Sequence, residues 1–339
     1  MRVLVTGAAG FVGMHVARAL LERGDEVVGL DNLSAYYDVG LKQARLDQLA
    51  PYRNFRFQRV DIADHAALEA SIGDARCDRV VHLAAQPGVR YSVTNPHVYA
   101  QSNLVGFLNL LECCRHHPVE HLVFASSSSV YGGNTKMPFA EDDGVDHPVS
   151  LYAATKKANE LMAHTYSHLY GIPSTGLRFF TVYGPWGRPD MGIFRFTRAI
   201  CRGEPIEIYN HGDMLRDFTY VDDIVEGVIR VLDRPARADA AFDPAAPNPA
   251  ISSAPYRILN IGNHEPVPLL DFVAAIEEAV GRPAVRRLLP MQAGDVQATY
   301  ADVSRLSRVT EGFAPQTPLR EGVKRFVAWY RDHYEHHQR

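Results

Sequence analysis

The segment VTGAAGFVG, residues 5–13, constrains the fold of this 339-residue chain more than any other feature. It ends the apolar run RVLVTG (2–7) and leads into an amphipathic stretch, and its glycines follow a G-x-x-G-x-x-G spacing. At a turn from a strand into a helix, Gly7 permits the tight turn, Gly10 lets a pyrophosphate approach the backbone, and Gly13 lets the helix pack closely on the strand. The helix N-terminus then offers free N–H groups to the phosphates. The spacing predicts a dinucleotide-binding unit.

Four further apolar runs predict that this unit belongs to a larger sheet. They are EVVGLD (26–31), FRFQRVD (55–61), RVVHLAA (79–85) and HLVFASSS (121–128), and each is typical of a buried parallel strand. Helical patterns alternate with them, which predicts an α/β fold: a doubly wound parallel (Rossmann) sheet with a smaller C-terminal α/β substrate lobe.

The expected domain boundaries follow from where this alternation breaks up. The nucleotide-binding domain is expected to comprise residues 1–177 plus about 218–240, and the smaller lobe about 178–217 and 257–339. The Pro/Ala-rich segment at 241–256 is expected to be a loop.

Composition excludes several classes of protein. A net charge of −4 gives no overall field for nucleic acid or an anionic membrane. The four cysteines show neither disulfide-scaffold nor zinc spacing, so we expect no metal site. No apolar run approaches ~20 residues, and the N-terminus leads directly into a strand, so a cytoplasmic protein is expected.

Acidic residues at two strand ends indicate which dinucleotide is bound. Asp31, ending the second strand, can accept hydrogen bonds from a ribose diol and would repel a 2′-phosphate, which favours NAD over NADP. Asp61, ending the third, lies either where an adenine edge could be met or at a helix N-cap. The predicted cofactor contacts from these segments are Gly7, Gly10, Phe11, Val12, Gly13, Asp31, Asn32, Asp61 and Ile62.

The segment SLYAATKK (150–157) places Tyr152 four residues before Lys156, so the two share one face of a helix. A free tyrosine titrates near pH ~10, and lowering that pKa by ~3 units takes roughly 4 kcal/mol. A neighbouring ammonium supplies part of this stabilisation. A surface pair on a helix is the alternative.

These features together resemble the extended short-chain dehydrogenase/reductase family over nearly the whole chain. The resemblance implies a catalytic set of Ser127, in ASSSSVYG, with Tyr152 and Lys156, and an NAD that stays tightly bound and is regenerated in each cycle. It implies that Lys156 also binds the nicotinamide ribose, that Leu83, Ala84 and Ala85 line the cofactor, and that Asn103 lies beside it. It further implies a homodimer through the helices at about 97–116 and 152–170.

One short window indicates the reaction. Dehydratases of this family carry Asp-Glu at the positions of Ser128 and Ser129, and decarboxylases carry Glu at the second. With no carboxylic acid there, an epimerase is favoured. The segments at 146–171, 177–192 and 216–227 are similar to those of the family's epimerases that act on UDP-glucuronate, and a row of neutral hydroxyls at Ser127, Ser128 and Ser129 can accept the uronate carboxylate. A UDP-glucose or UDP-N-acetylhexosamine 4-epimerase, a UDP-glucuronate decarboxylase and a non-catalytic NAD-binding sensor remain alternatives.

The same resemblance implies how the rest of a UDP-sugar is bound. Arg216 is expected at the diphosphate, Arg188 in the segment that covers the nucleotide, and Arg90 near the sugar; a surface ion pair is the alternative for each arginine. Thr181 is expected at the sugar and Asp295 at the ribose. Many relatives carry Arg where this chain has Gln292, so one diphosphate contact is in doubt.

Overall fold

The computed structural model describes residues 1–292 and 296–335. Its strands are β1 (Arg2–Thr6), β2 (Glu26–Asp31), β3 (Phe55–Arg59), β4 (Arg79–His82), β5 (His121–Ser127), β6 (Ser174–Phe179), β7 (Thr181–Tyr183), β8 (Pro205–Ile208), β9 (Leu215–Tyr220), β10 (Tyr256–Ile261), β11 (Pro266–Pro268) and β12 (Val285–Leu288). Its helices are α1 (Phe11–Glu22), α2 (Val39–Leu49), α3 (His65–Ala75), α4 (Tyr91–Thr94), α5 (Pro96–Tyr99), α6 (Gly106–His116), α7 (Leu151–Tyr170), α8 (Gly192–Arg202), α9 (Val221–Leu232), α10 (Leu269–Val280), α11 (Ser304–Val309) and α12 (Leu319–Glu335).

The described residues build a seven-stranded parallel sheet in the order β10-β6-β5-β4-β1-β2-β3. The five strands expected from the apolar runs all lie in it, so the predicted doubly wound sheet is confirmed. The chain moves outward from β1 in one direction through β2 and β3, and then in the other direction through β4, β5 and β6. Ligands of such sheets bind in the crevice at the carboxyl ends of the strands where this reversal occurs, here between β1 and β4.

Helices cover both faces of the sheet and bury its apolar side chains. Phe107 and Leu110 of α6, with Ala163 of α7, join the core on one face, whereas Val16 of α1 and Val228 of α9 join the core on the other. These five residues are fully buried. The strands themselves are apolar on both sides, as expected for a sheet enclosed between two helical layers.

The smaller lobe is built mainly from the three-stranded sheet β11-β9-β7 and the pair β12-β8, together with α8, α10 and α12. One expected boundary differs from the structure: β10, at residues 256–261, pairs with β6 at the edge of the central sheet although 257–339 were assigned to the smaller lobe. Its return to the large sheet depends on pairing with a strand some eighty residues earlier, which local patterns do not encode. The segment at 241–255 is loop, as expected.

Within the residues described, the structure contains no helix with the length and apolar character needed to span a bilayer.

Candidate active site

The glycine turn between β1 and α1 leaves its backbone uncovered. Gly7 has φ +76°, a conformation that L side chains rarely adopt. A Cβ atom on Gly10 would lie 2.9 Å from the Gly7 carbonyl oxygen, and one on Gly13 would lie 1.9 Å from the same atom. Only glycine therefore fits these positions, and the turn and the N-terminus of α1 line the crevice. This turn fits a dinucleotide pyrophosphate.

Asp31 lies at the end of β2, and its carboxylate is held by the backbone. It accepts hydrogen bonds from the N–H groups of Ala9 (3.2 Å) and Leu33 (2.8 Å). The Nζ of Lys42, on α2, lies 3.9 Å from this carboxylate and donates to the Ser34 hydroxyl at 3.1 Å. Lys42 is buried, and burial lowers its pKa. Sequence reasoning missed Lys42, because no pattern marks the helix position that faces Asp31.

The structure decides between the two interpretations of Asp61. The residue that caps α3 is Asp64, whose carboxylate accepts from the Ala67 N–H. Asp61 instead lies beside the crevice, where its carboxylate accepts from Asn32 Nδ2 at 3.0 Å. The N-cap interpretation of Asp61 is therefore wrong, and its side chain lies beside the cofactor crevice.

A cavity of about 1130 Å³ runs from the glycine turn, across the ends of β4 and β5, to the smaller lobe. Every predicted cofactor, catalytic and substrate residue lines it except Asn103 and Asp295. Asp295 lies outside the described residues. Residues more than two hundred positions apart thus form one continuous surface, large enough for a dinucleotide and a nucleotide sugar end to end.

Asn103 is placed differently from the expectation. It lies in a π-helical turn at Ala100–Val105, between α5 and α6, and is buried. Its Oδ1 accepts from the Gln86 N–H at 2.8 Å, and its Nδ2 donates to the Gln86 carbonyl at 3.2 Å and to Thr155 Oγ1 at 3.1 Å. Because both amide ends are engaged in these bonds, Asn103 fixes the loop after β4 against α7 rather than lining the cavity.

The three predicted catalytic residues converge where β5 meets α7. Ser150 caps α7 by accepting from the Ala153 N–H, which sets the first turn so that Tyr152 and Lys156 face β5. Ser127, the last residue of β5, lines the cavity together with Tyr152 and acts to lower its pKa. The Lys156 Nζ donates to the Ala125 carbonyl at 2.8 Å.

The pKa values at this junction correct one expectation. Burial raises the pKa of Tyr152 above its ordinary value of 10.0, while Ser127 and then Arg188 act in the opposite direction. Burial lowers the pKa of Lys156 from 10.5 to about 8. In the chain alone the phenol pKa therefore stays above its ordinary value, because burial outweighs Ser127 and Arg188, and the Lys156 ammonium is directed at the carbonyl of Ala125.

The serine row occupies the end of β5 and the 3₁₀ turn at Ser128–Tyr131 that follows. Ser127 Oγ accepts from the Ser129 N–H at 3.2 Å, which closes this turn. Ser127 is in register with Phe179 at the end of β6, and Thr181 follows two residues later. The row and Thr181 therefore line the same part of the cavity, beside Tyr152.

Three arginines also line the cavity. Arg188 makes a two-pronged ion pair with Asp190 at 3.0 and 2.8 Å, and it also lines the cavity. Arg216, on β9, donates to the carbonyls of Val296 and Gln297 at 2.6 and 2.9 Å. The Arg90 guanidinium lies 5.0 Å from the centre of the Tyr209 ring. Arg188 thus forms an ion pair and also lines the cavity, two roles that are alternatives on the sequence alone.

A buried arginine of α2 joins the cofactor turn to the segment that carries Arg188. Arg45 is 0% exposed, and it donates to the Ala9 carbonyl of the glycine turn at 3.1 Å. It also donates twice to the Trp186 carbonyl, at 2.7 and 3.0 Å, and to the Tyr37 hydroxyl at 2.6 Å. The Arg45 guanidinium therefore holds the glycine turn and the segment that carries Arg188 in fixed positions relative to each other.

Two polar side chains of α7, Glu160 and His164, are bound within the fold. Glu160 receives both Nε and Nη2 of the buried Arg178 at 2.9 Å, and the Ser126 hydroxyl at 2.6 Å. His164 Nε2 lies 2.9 Å from the Ser252 hydroxyl. Glu160 thus holds the residue that precedes Ser127.

Comparison with known proteins agrees with this geometry. The NAD dependent epimerase/dehydratase family matches residues 3–262. The chain belongs to this family. It is 52% identical over 335 residues to Protein CapI of Staphylococcus aureus, covering 99% of this chain and 100% of that protein. It is 49% identical over 335 residues to the probable UDP-glucuronate 4-epimerase of Rhizobium meliloti, covering 98% of each.

A solved structure shows the same fold. The UDP-glucuronic acid 4-epimerase from Bacillus cereus, in complex with UDP-glucuronic acid and NAD, superposes with a TM-score of 0.87 at 33% identity, covering 98% of this chain and 100% of that chain.

Proposed function

We propose that this chain is an NAD-dependent isomerase that interconverts UDP-glucuronate and UDP-galacturonate by inverting C4 of the sugar. The observation that carries the proposal is the junction of Ser127, Tyr152 and Lys156 in the same cavity as the glycine turn, with Ser128 and Ser129 beside it. Relatives that act on UDP-glucuronate share half of this sequence over its full length.

The residues of the chain supply binding and proton transfer. Tyr152, whose pKa Ser127 acts to lower, takes the proton of the 4-hydroxyl and later returns it. Lys156, held by Ala125, lies one helical turn away to bind the ribose of the dinucleotide. When bound, NAD supplies the acceptor and donor of the C4 hydride and a positive ring beside the phenol, which adds the stabilisation of the phenolate that the chain's own groups lack.

Inversion requires the 4-keto sugar to turn over between the two hydride transfers. The UDP portion, bound by Arg188 and Arg216, stays in place while the sugar rotates about its bonds to the diphosphate. A cavity of about 1130 Å³ leaves room for this movement. The sugar then presents its other face at C4, and the proton returns from Tyr152.

The serine row gives the proposal its specificity for a uronate. A 4-keto uronate is a β-keto acid and loses CO2 readily. Hydrogen bonds from Ser128 and Ser129 would hold the carboxylate away from the alignment that this loss requires. Neither residue is a carboxylic acid that could protonate the resulting carbanion.

Product analysis with two substrates tests this function. By NMR, UDP-glucuronate should be converted to UDP-galacturonate, whereas UDP-glucose should be converted much more slowly. In Ser128→Ala or Ser129→Ala, loss of a charge-assisted hydrogen bond worth roughly 1.5–3 kcal/mol should weaken UDP-glucuronate binding. UDP-4-keto-pentose and stranded NADH, read by absorbance, should increase. UDP-glucose binding is the control. An equal loss of affinity for UDP-glucuronate and UDP-glucose, without any decarboxylated product, would contradict the role assigned to the serine row.

We also propose that the chain forms a homodimer through α6 and α7. Leu161 and Leu169 of α7 are 58% and 61% exposed, and Leu108 of α6 is 42% exposed. Such an apolar stripe on neighbouring helices is typical of a contact surface. Light scattering should give a dimer mass for the parent and a monomer mass for Leu161→Glu with Leu169→Glu. A monomeric parent would overturn this assignment.

The expected cytoplasmic location is likewise part of the proposal. Its support is that Cys77, Cys113, Cys114 and Cys201 are free thiols, which suits a reducing compartment.

A further inference from the structure

A cluster of metal-binding side chains lies between α3 and α6, outside the cavity. It consists of His65 and Glu69 of α3, Cys113 of α6, and His117, which caps the C-terminus of α6; we refer to it as the α3–α6 cluster. None of the four residues lines the catalytic cavity. The proposed reaction therefore leaves the cluster without a role.

The spacing within each helix explains why the four side chains meet. His65 and Glu69 are four residues apart on α3, and Cys113 and His117 are four residues apart at the end of α6. Residues at this interval lie on one face of a helix. Since α3 and α6 pack side by side on the sheet, their facing pairs come together.

The distances suit one small cation. A ligand atom of His65, of Glu69 and of Cys113 all lie within 4.8 Å of one another. Cys113 Sγ lies 3.2 Å from Glu69 Oε2, and His117 Nε2 lies 3.0 Å from Glu69 Oε1. Tetrahedral zinc, with bonds of about 2.0–2.3 Å, requires ligand atoms roughly 3.3–3.8 Å apart. His117 Nε2 lies outside this group of three ligand atoms, so its side chain would rotate to the fourth position while the other three make small rotations.

We propose that the α3–α6 cluster is a structural binding site for a zinc-like divalent cation. One thiolate, two imidazoles and one carboxylate form a donor set that a borderline-soft metal prefers over magnesium or calcium. Glu69 now accepts hydrogen bonds from the Cys113 thiol and from His117, so polar groups already converge where the metal would lie. Binding replaces the thiol proton of Cys113 with the metal, and that proton passes to solvent.

The position of the α3–α6 cluster indicates what a bound metal would do to the protein. Asn109 of α6 donates to the carbonyl of Ile62, the residue after Asp61, at 3.0 Å. Gly106 packs against the Ile62 side chain so closely that a Cβ there would lie 2.6 Å from it. A metal joining α3 to α6 would therefore brace the helices beneath the nucleotide end of the cavity. It would raise thermal stability without entering the reaction.

Metal titration of the full-length chain tests the proposal. His336 and His337 are replaced by Ala in every protein, so that the histidines of the C-terminal tail do not contribute. The chain, stripped with EDTA and desalted, is titrated with ZnCl2 by calorimetry and with Co2+ by absorption. We expect one zinc per chain, a thiolate-to-cobalt charge-transfer band, and a rise in the melting temperature on adding zinc.

Matched variants separate the cluster from its neighbours. Cys113→Ser and His65→Ala should weaken zinc binding by at least ~10-fold, and Cys113→Ser should abolish the charge-transfer band. Cys114→Ser, the adjacent buried thiol, and His116→Ala, the adjacent imidazole, should bind as the parent does. His65 is exposed, so His65→Ala tests the site even if Cys113→Ser fails to fold. Absence of stoichiometric binding in the parent, or equal losses in the control variants, would show that the cluster is only a hydrogen-bonded contact.

Discussion

Replacing Lys156 by Met should stabilise the nucleotide-free protein while removing its activity. Lys156 is 2% exposed, and burial lowers its pKa from 10.5 to about 8. A buried ammonium that must be kept charged is a cost to folding, and methionine fills similar space without that cost.

The magnitude follows from the pKa. A shift of about 2.5 units corresponds to roughly 3 kcal/mol of differential stability. The substitution also removes the hydrogen bond to the Ala125 carbonyl, worth about 1 kcal/mol. The net expectation is that Lys156→Met raises the free energy of unfolding by about 2 kcal/mol near pH 7.

The lowered pKa of Lys156 also predicts the direction in which the free energy of unfolding changes with pH. Because the unfolded state of the wild type binds a proton up to higher pH than the folded state does, wild-type stability should increase between about pH 8 and 10.5. The advantage of Lys156→Met should therefore disappear over that window. Below it, the lysine is charged in both states and the advantage should be constant.

Urea unfolding of wild type and variant, followed by circular dichroism at a series of pH values, measures this difference directly. Lys324→Met, at an exposed position on α12, is the control and should show no such change. A variant less stable than wild type at neutral pH, or a difference that does not change with pH up to about 10, would refute the argument from desolvation.

Two further predictions concern the reaction and the cofactor. Tyr152→Phe should lower turnover by at least ~100-fold, which is the usual effect of losing a general base. The affinity for NAD, measured by fluorescence titration, should be nearly unchanged. Near wild-type turnover would remove Tyr152 from the mechanism. Asp31→Asn should reduce the preference for NAD over NADP by at least ~10-fold, because it removes the carboxylate that faces a 2′-phosphate and leaves the Lys42 ammonium to attract one. Calorimetric titration with both cofactors checks this, and an unchanged ratio would contradict it.

Sequence patterns could predict those parts of the site that lie within a few residues of each other. The glycine turn depends on a local clash, since a Cβ on Gly13 would meet Gly7, six residues earlier. Tyr152 and Lys156 lie one helical turn apart on α7. Residues of this kind carry their structural requirement in their spacing, so the strand-to-helix turn after β1 and the helix of Tyr152 and Lys156 could both be predicted.

The parts of the site that could not be predicted depend on contacts between segments far apart in the chain. Asn103, in the π-helical turn before α6, bonds to Gln86 and Thr155, which lie 17 and 52 residues away in the chain. Lys42 meets Asp31 only after α2 packs against α1. The α3–α6 cluster combines two ordinary i, i+4 pairs whose meeting is a property of the packed sheet. No local pattern distinguishes such residues from other polar positions on a helix.

Arg45 has an evolutionary consequence. Its single guanidinium serves the glycine turn and the Trp186 carbonyl together, so a change in the segment around Arg188 is also a change at the cofactor. Within the part of the chain that the structure describes, the side chains of Ser128, Ser129 and Thr181 make no such shared bond. Substitutions that change the sugar specificity are therefore least constrained at the serine row. Substitutions in the segment around Arg188 must instead be compatible with the glycine turn, because both bond to Arg45. Enzymes descended from this scaffold should differ first at the row and last around Arg188.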